Sequence, residues 1–237
     1  RVAIAGLGTV GAGTVDVLQQ HADLIARRGG RSVQVVAVSA RTRGKDRGVS
    51  LDAFEWYDDP VAMAREAEVD VVVELIGGED GPAKAVCEAA IAGGRHVVTA
   101  NKALLAVHGN ELAAAAEGAG VSLNYEAAIA GGIPIVKALR EGLAGNEITH
   151  IYGILNGTCN YILTEMREKR LSFETVLEDA QKLGYAEAEP SVDVDGFDAA
   201  HKLALLASLA FGTRVSFDDV YTEGIRHVSL QDIDYAE

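Results

Sequence analysis

Residues 2–11 constrain the fold of this chain more than any other stretch. Four apolar residues, Val2, Ala3, Ile4 and Ala5, run directly into Gly6-Leu7-Gly8-Thr9-Val10-Gly11. Apolar side chains then return at Val15, Leu18, Ala22, Leu24 and Ile25 in roughly helical spacing, until Gly29-Gly30 ends the element. A short apolar strand that enters a glycine-rich turn and opens a helix is the G-x-G-x-x-G arrangement in the context it requires. Its glycines allow a tight turn and a close backbone approach, and the helix N-terminus offers N–H donors and partial positive charge to a pyrophosphate. Gly13, one turn further on, suits close packing of the helix on the sheet. Gly6, Gly8, Thr9, Val10 and Gly11 are therefore candidate nucleotide-binding positions.

The same rhythm continues. Strands are expected over 33–38, 69–76, 96–99 and 121–125, and helices over 60–68, 81–92 and 110–117. Steady alternation of this kind builds an α/β, Rossmann-type doubly wound parallel sheet, here over residues 1–126. Beyond Glu126 the rhythm changes. A helix over 134–141, a strand over 148–155 and helices over 161–170, 173–183 and 196–211 make residues 127–237 a second, α+β region. A chain of 237 residues, 49% hydrophobic, has ample material for such cores. The net charge of -14 argues against nucleic acid or an anionic membrane as a partner, since both select a positive footprint. Two cysteines, Cys87 and Cys159, form no disulfide framework or metal spacing, so a cytoplasmic location is expected. The start at Arg1 without a methionine, and an end in mid-pattern, suggest a piece cut from something longer.

Three further stretches carry chemistry. After the second strand, an acidic residue would hold a ribose hydroxyl. This chain has Ser39, Arg41, Arg43 and Lys45 instead, and guanidinium groups favour the extra phosphate of NADP over NAD. Glu74 is a carboxylate inside an apolar strand, suited to hydrogen bonding, and the glycines after it, including Gly77, allow close cofactor approach. Thr99, Asn101 and Lys102 follow the fourth strand, at the carboxyl end of the sheet where ligands bind. Finally, residues 184–202 crowd Glu187, Glu189, Asp193, Asp195, Asp198 and His201 around a single lysine, Lys202. Asp198 and Lys202 are four apart and so share a helix face. His201 points about 100° away and is read as structural.

In order, GLGTVGAG, ELIGG, VVTANKALLA, NYEAAIAGGIPI, ILNGTCNYIL and LGYAEAEP followed by DVDGFDAAHKLALLA resemble the homoserine dehydrogenases over nearly the whole chain. The resemblance implies NAD(P)-dependent interconversion of L-homoserine and L-aspartate 4-semialdehyde, on the route to threonine, methionine and isoleucine. It places the catalytic lysine at Lys202 and a second lysine, Lys102, at the reacting oxygen. Asp198 and Glu187 become substrate-binding acids with Asp193 in the same pocket, and Thr158 and Tyr185 line the substrate and nicotinamide site. It also implies a monovalent cation, sodium or potassium, held by the Glu126 carboxylate and the carbonyls of Ile129, Gly131 and Ile133. A homodimer or homotetramer, and sometimes a C-terminal regulatory domain, belong to the longer family pattern.

In residue chemistry, Glu187 and Asp193 would bind the substrate ammonium, and backbone N–H groups near Gly157 and Thr158 its carboxylate. Lys202 would exchange the hydroxyl proton. Two other readings remain at this stage: a semialdehyde dehydrogenase using Cys159 as nucleophile, and a non-catalytic NADP-binding sensor.

Overall fold

β1 (Val2–Ala5) occupies the middle of a six-stranded sheet of order β3-β2-β1-β4-β5-β6, every pair parallel. Its partners are β2 (Val35–Ser39), β3 (Glu55–Tyr57), β4 (Val71–Glu74), β5 (His96–Thr99) and β6 (Leu123–Asn124). The computed structural model describes residues 1–236. Side chains alternate across a strand, and β1 divides accordingly. Ala3 and Ala5 face one hydrophobic cluster with Met63, Val86 and Leu112, while Val2 and Ile4 face the other with Val15 and Val38. Both faces are covered, as a parallel sheet requires.

The helices of this part are α1 (Thr9–Gln20), α2 (Ala22–Gly29), α3 (Pro60–Glu66), α4 (Pro82–Ala92) and α5 (Lys102–Ala119), followed by the short α6 (Glu126–Ala130) and α7 (Ile135–Lys137). Caps set several starts. Asp59 accepts from the Val61 N–H ahead of Pro60, and Asn101 accepts from the Leu104 N–H to begin α5. That cap carries α5 eight residues upstream of its expected start at 110, because Gly109 packs buried within the helix rather than ending a loop. The helix expected through 28 breaks at His21. β3 went unforeseen, being only three residues long on the sheet edge. Gly13 also differs from expectation. A side chain there would meet nothing, whereas at Gly11 a Cβ would lie 1.9 Å from the Gly6 carbonyl oxygen. Close packing falls on Gly11.

The chain divides into two compact units, Arg1–Ala138 and Leu139–Glu237. The sequence reading put the boundary at Glu126. α6 packs against β5, which attaches the residues just beyond that point to the first unit. The second unit contains α8 (Gly157–Lys169), α9 (Phe173–Lys182), α10 (Ser191–Val194), α11 (Phe197–Phe211) and α12 (Leu230–Ala236). Its core gathers Ile162 and Met166 from α8, Phe173, Val176 and Ala180 from α9, and Val194 from α10, with Leu230 and Ile233 packed against them.

Two expectations fail at the join. The helix over 134–141 is a single turn followed by a π-helical segment, Ala138–Gly142. The strand over 148–155 is not formed; Tyr152 and Ile154 stand exposed, and among the described residues no strand pairs with them. A strand without a neighbour gains no ladder hydrogen bonds, whatever its propensity. Among the described residues no helix is long and apolar enough to cross a membrane.

Candidate active site

In the first unit, the turn after β1 is built by close approach. Gly6 has φ +99°, and a Cβ on it would sit 2.4 Å from the Leu75 carbonyl oxygen, so neither strain nor space admits a side chain. Gly8 is different: a Cβ there would meet no protein atom, and the residue faces a cleft of about 610 Å³. Thr9, Gly13, Lys45 and Arg47 line the same cleft. Thr9 and Val10 form the exposed first turn of α1, whose N-cap, Gly8, contributes no side-chain hydrogen bond to the free amides.

Arg47 was not foreseen. Its guanidinium donates to the carbonyls of Leu7 (3.1 Å), Thr42 (2.6 Å) and Lys45 (2.7 Å), tying the basic loop to the glycine turn. It also lies over the Trp56 ring, as Arg43 does, at 5.6 and 5.9 Å from the centroid. Its place two residues after Lys45 in the same basic run was the available signal. Arg41 is exposed and stands outside the cleft lining.

At the carboxyl ends of β4 and β5, Glu74 is fully buried and takes three donors. The Ile76 and Gly77 amides reach one carboxyl oxygen at 2.7 and 3.1 Å, and the Thr99 hydroxyl reaches the other at 2.5 Å. Thr99 Oγ1 in turn accepts from the Asn101 N–H, and Asn101 Nδ2 donates to Gly78 O at 2.6 Å. This chain of bonds fixes both loops, with Lys102 at the first position of α5.

These residues fit a dinucleotide on two observations. Gly8 leaves open the space that a side chain would fill, and Ser39 Oγ, buried at the end of β2, has no hydrogen-bond partner among the described residues. The cation-binding candidates lie together after β6. Glu126 begins α6 and its Oε1 accepts from the Gly132 N–H at 3.0 Å, closing the loop that carries Ile129, Gly131 and Ile133. The Ile133 carbonyl already accepts from the Ile135 N–H at 2.8 Å, so of the four candidate oxygens at least one is engaged within the chain.

In the second unit, the predicted residues converge at the N-terminus of α8. Lys202, 20% exposed, donates to Asp198 Oδ2 at 2.7 Å and to the Leu155 carbonyl at 2.8 Å. Asp198 is 7% exposed. Asn156 donates to Asp193 Oδ1 at 2.7 Å and to Asp198 Oδ2 at 2.9 Å, and its own oxygen caps α8 by accepting from the Cys159 N–H. Thr158 Oγ1 donates to the Tyr185 carbonyl, and the Tyr185 ring lies against Tyr161 with centroids 4.8 Å apart. Gly157 opens α8. Glu187 is exposed, with its backbone carbonyl held by Gln181.

The remaining charges of the acidic stretch have other work. Asp195 is paired with Arg226, whose guanidinium holds the carboxyl below the ordinary aspartate range. Glu189 is held low by the Ser191 hydroxyl and amide. His201 stacks on Phe217. Cys159 donates its thiol hydrogen to the Asp193 carbonyl at 3.2 Å, and burial, helped by Asp193, Asp198 and Asp195, pushes the thiol up to about 11. It is a thiol at neutral pH, which removes the support for a cysteine nucleophile.

A parallel sheet in the order of two mononucleotide halves, with a glycine turn opening onto a cleft, defines a dinucleotide-binding α/β protein. Its second unit carries a half-buried lysine bonded to a buried carboxylate. The family profile "Homoserine dehydrogenase, NAD binding domain" matches residues 6–126, and "Homoserine dehydrogenase" matches residues 134–237. The chain belongs to the homoserine dehydrogenase family. It is 52% identical to a homoserine dehydrogenase of Pseudomonas aeruginosa, over all of this chain and 54% of that one. A solved homoserine dehydrogenase from Thiobacillus denitrificans matches with a TM-score of 0.94 and 50% identity, over 99% of this chain and 54% of that one. A hyperthermophilic archaeal homoserine dehydrogenase solved in complex with NADPH matches with a TM-score of 0.79 and 26% identity, over 96% and 74% of the two chains. The chain thus spans about half the length of the curated relatives it matches.

Proposed function

We propose that the protein carrying this chain interconverts L-homoserine and L-aspartate 4-semialdehyde with NAD(P), in the biosynthesis of threonine, methionine and isoleucine. Family membership supports the reaction class, and the observation that carries the residue roles is the Lys202–Asp198–Asn156 centre. Residues 1–126 serve the nucleotide and 127–237 the substrate. NAD(P) supplies or accepts the hydride when bound. Gly6, Gly8, Thr9, Val10 and Gly11 receive its pyrophosphate, Gly77, Thr99 and Asn101 shape its crevice, and Arg41 and Lys45 favour the extra phosphate of NADP.

Lys202 is the proton-transfer group. An ammonium has three N–H bonds, and Asp198 and Leu155 O take two. The third is available to a substrate oxygen: it donates to the aldehyde oxygen in reduction, and the neutral amine takes the hydroxyl proton in oxidation. Lys102, at the first position of α5, is the second lysine proposed for the reaction. The exposed Glu187 carboxylate and Asp193 bind the substrate ammonium, while Gly157, Thr158 and Tyr185 line its other side. Glu126, Ile129, Gly131 and Ile133 would hold a sodium or potassium ion that stiffens their loop. A cytoplasmic location and a homodimer or homotetramer are proposed on the family pattern alone.

The test is the absorbance of reduced cofactor on adding L-homoserine to the full-length protein with NAD or NADP, with and without sodium or potassium. Turnover greater with NADP is expected. Binding of NADPH with no turnover under any condition would favour the sensor reading instead.

A further inference from the structure

We propose that Asn156 is a positioning residue for the proposed reaction: its one amide sets Asp193 and Asp198 in place, and through Asp198 the catalytic ammonium of Lys202. This rests on the role given to Lys202 above.

The orientation of the amide follows from its partners. A backbone N–H can only donate, so the atom that faces Cys159 N at 2.8 Å is Oδ1. Nδ2 then faces the two carboxyl groups, at 2.7 Å to Asp193 and 2.9 Å to Asp198, and donates to both. Both amide hydrogens are thereby used, and the side chain is 9% exposed at the residue level.

Capping does not explain the choice of asparagine. An N-cap needs only an acceptor, and serine, threonine or aspartate serve about equally well. Asparagine alone among these supplies an acceptor together with two hydrogens. The excess is spent on carboxylates 37 and 42 residues away in sequence.

Both anchors of Lys202 pass through the same dipeptide. Its ammonium is bonded to Asp198 Oδ2, the oxygen that Asn156 also holds, and to the carbonyl of Leu155, the residue before Asn156. Without the amide, the Asp193 and Asp198 carboxylates would lose the donor that holds them side by side, and Lys202, bonded to Asp198, would shift with that carboxylate. The titratable groups facing Asn156 are Asp193 from α10, Asp198 and Lys202 from α11, and Cys159 on α8. Asp195 adds charge from beyond α10, although Arg226 neutralises it.

The experiment compares Asn156→Ser and Asn156→Asp in the full-length protein. Both keep a cap acceptor, so both are expected to fold and to bind NADPH as wild type does by nucleotide fluorescence, with a lowered melting temperature, more so in Asn156→Asp, because a buried carboxylate loses its donor. The rate constant kcat is expected to fall by about 100-fold in each, the cost of misplacing a reacting group by about 1 Å. Loss of the donors disfavours the ionised carboxylates, so the acid limb of the pH profile of kcat/KM should move to higher pH in the serine variant. It should move further in Asn156→Asp, where a third carboxylate joins the pair. Wild-type kcat and an unmoved acid limb in either folded variant would reduce Asn156 to a helix cap and overturn the proposal. So would failure of both variants to fold, which would make the residue structural. Wild-type protein with no turnover at all sinks the parent reading instead, a result distinct from active wild type with silent variants.

Discussion

The two units hold their functional groups in opposite ways. In the first, the residues proposed to meet the cofactor sit on the ends of a parallel sheet and are fixed by contact. Gly11 lies so close to Gly6 that no side chain fits, and the loops after β4 and β5 are tied to a carboxylate buried in the sheet itself. In the second, helices bring together the groups proposed to meet the substrate, and polar side chains bridge distant segments: Asn156 to Asp193 and Asp198, Arg226 to Asp195, Arg170 to Asp234. The first unit should therefore be sensitive to volume, the second to charge and hydrogen-bond chemistry.

The strongest challenge to this contrast is Lys202→Ala. It is expected to lower kcat by about 10³-fold, within the usual range for general acid–base groups, while NADPH binding by fluorescence titration stays unchanged. A parallel loss of nucleotide affinity would place the lysine in cofactor binding and erase the division of labour. Next in size, Gly11→Ala should destabilise by about 3 kcal/mol or more, since its Cβ would collide with the backbone of Gly6. Gly8→Ala should cost only about 0.5–1 kcal/mol of stability, through the poorer helix cap, and weaken NADPH about tenfold, or ~1.4 kcal/mol. Equal melting temperatures for the two variants would show that close approach does not govern the first unit.

Glu74→Gln tests the one place where the first unit behaves like the second. The amide NH2 would replace the oxygen that accepts the Thr99 hydroxyl hydrogen, so a buried donor is left without an acceptor. A loss of about 1–3 kcal/mol is expected in denaturant unfolding. The smallest effect concerns Asp195. Arg226 holds its carboxyl below the ordinary aspartate value, so the pair adds stability at pH above ~3.9 that is lost as pH falls through the lowered value. In Arg226→Gln an NMR titration of Asp195 should return toward the ordinary value, with only a minor stability change because the pair is solvent-accessible. An unmoved titration would mean that the clamp is not formed.

Much of the first unit was legible because its signals are local. A strand of alternating Val, Ala, Ile and Ala, a glycine turn and a helical repeat lie within a few residues of one another, and their order fixes a doubly wound sheet. Asp198 and Lys202 were legible as a pair for the same reason, one helical turn apart. The failed strand over 148–155 marks the limit of such reading. Its composition suits a strand, but forming one depends on a partner that sequence pattern does not reveal.

The sequence by itself determined the βαβ order, the glycine turn, the basic run after β2 and the concentration of acids around Lys202. Tertiary structure decided which of those groups meet. Glu74 reaches Thr99 across 25 residues, Asn156 reaches Asp198 across 42, and Lys202 returns to Leu155 across 47. Secondary structure repeats over a few residues, whereas a side-chain hydrogen bond needs donor and acceptor within about 3 Å wherever the chain has carried them. That difference in range is why Asn156 and Arg47 emerged only from the folded chain.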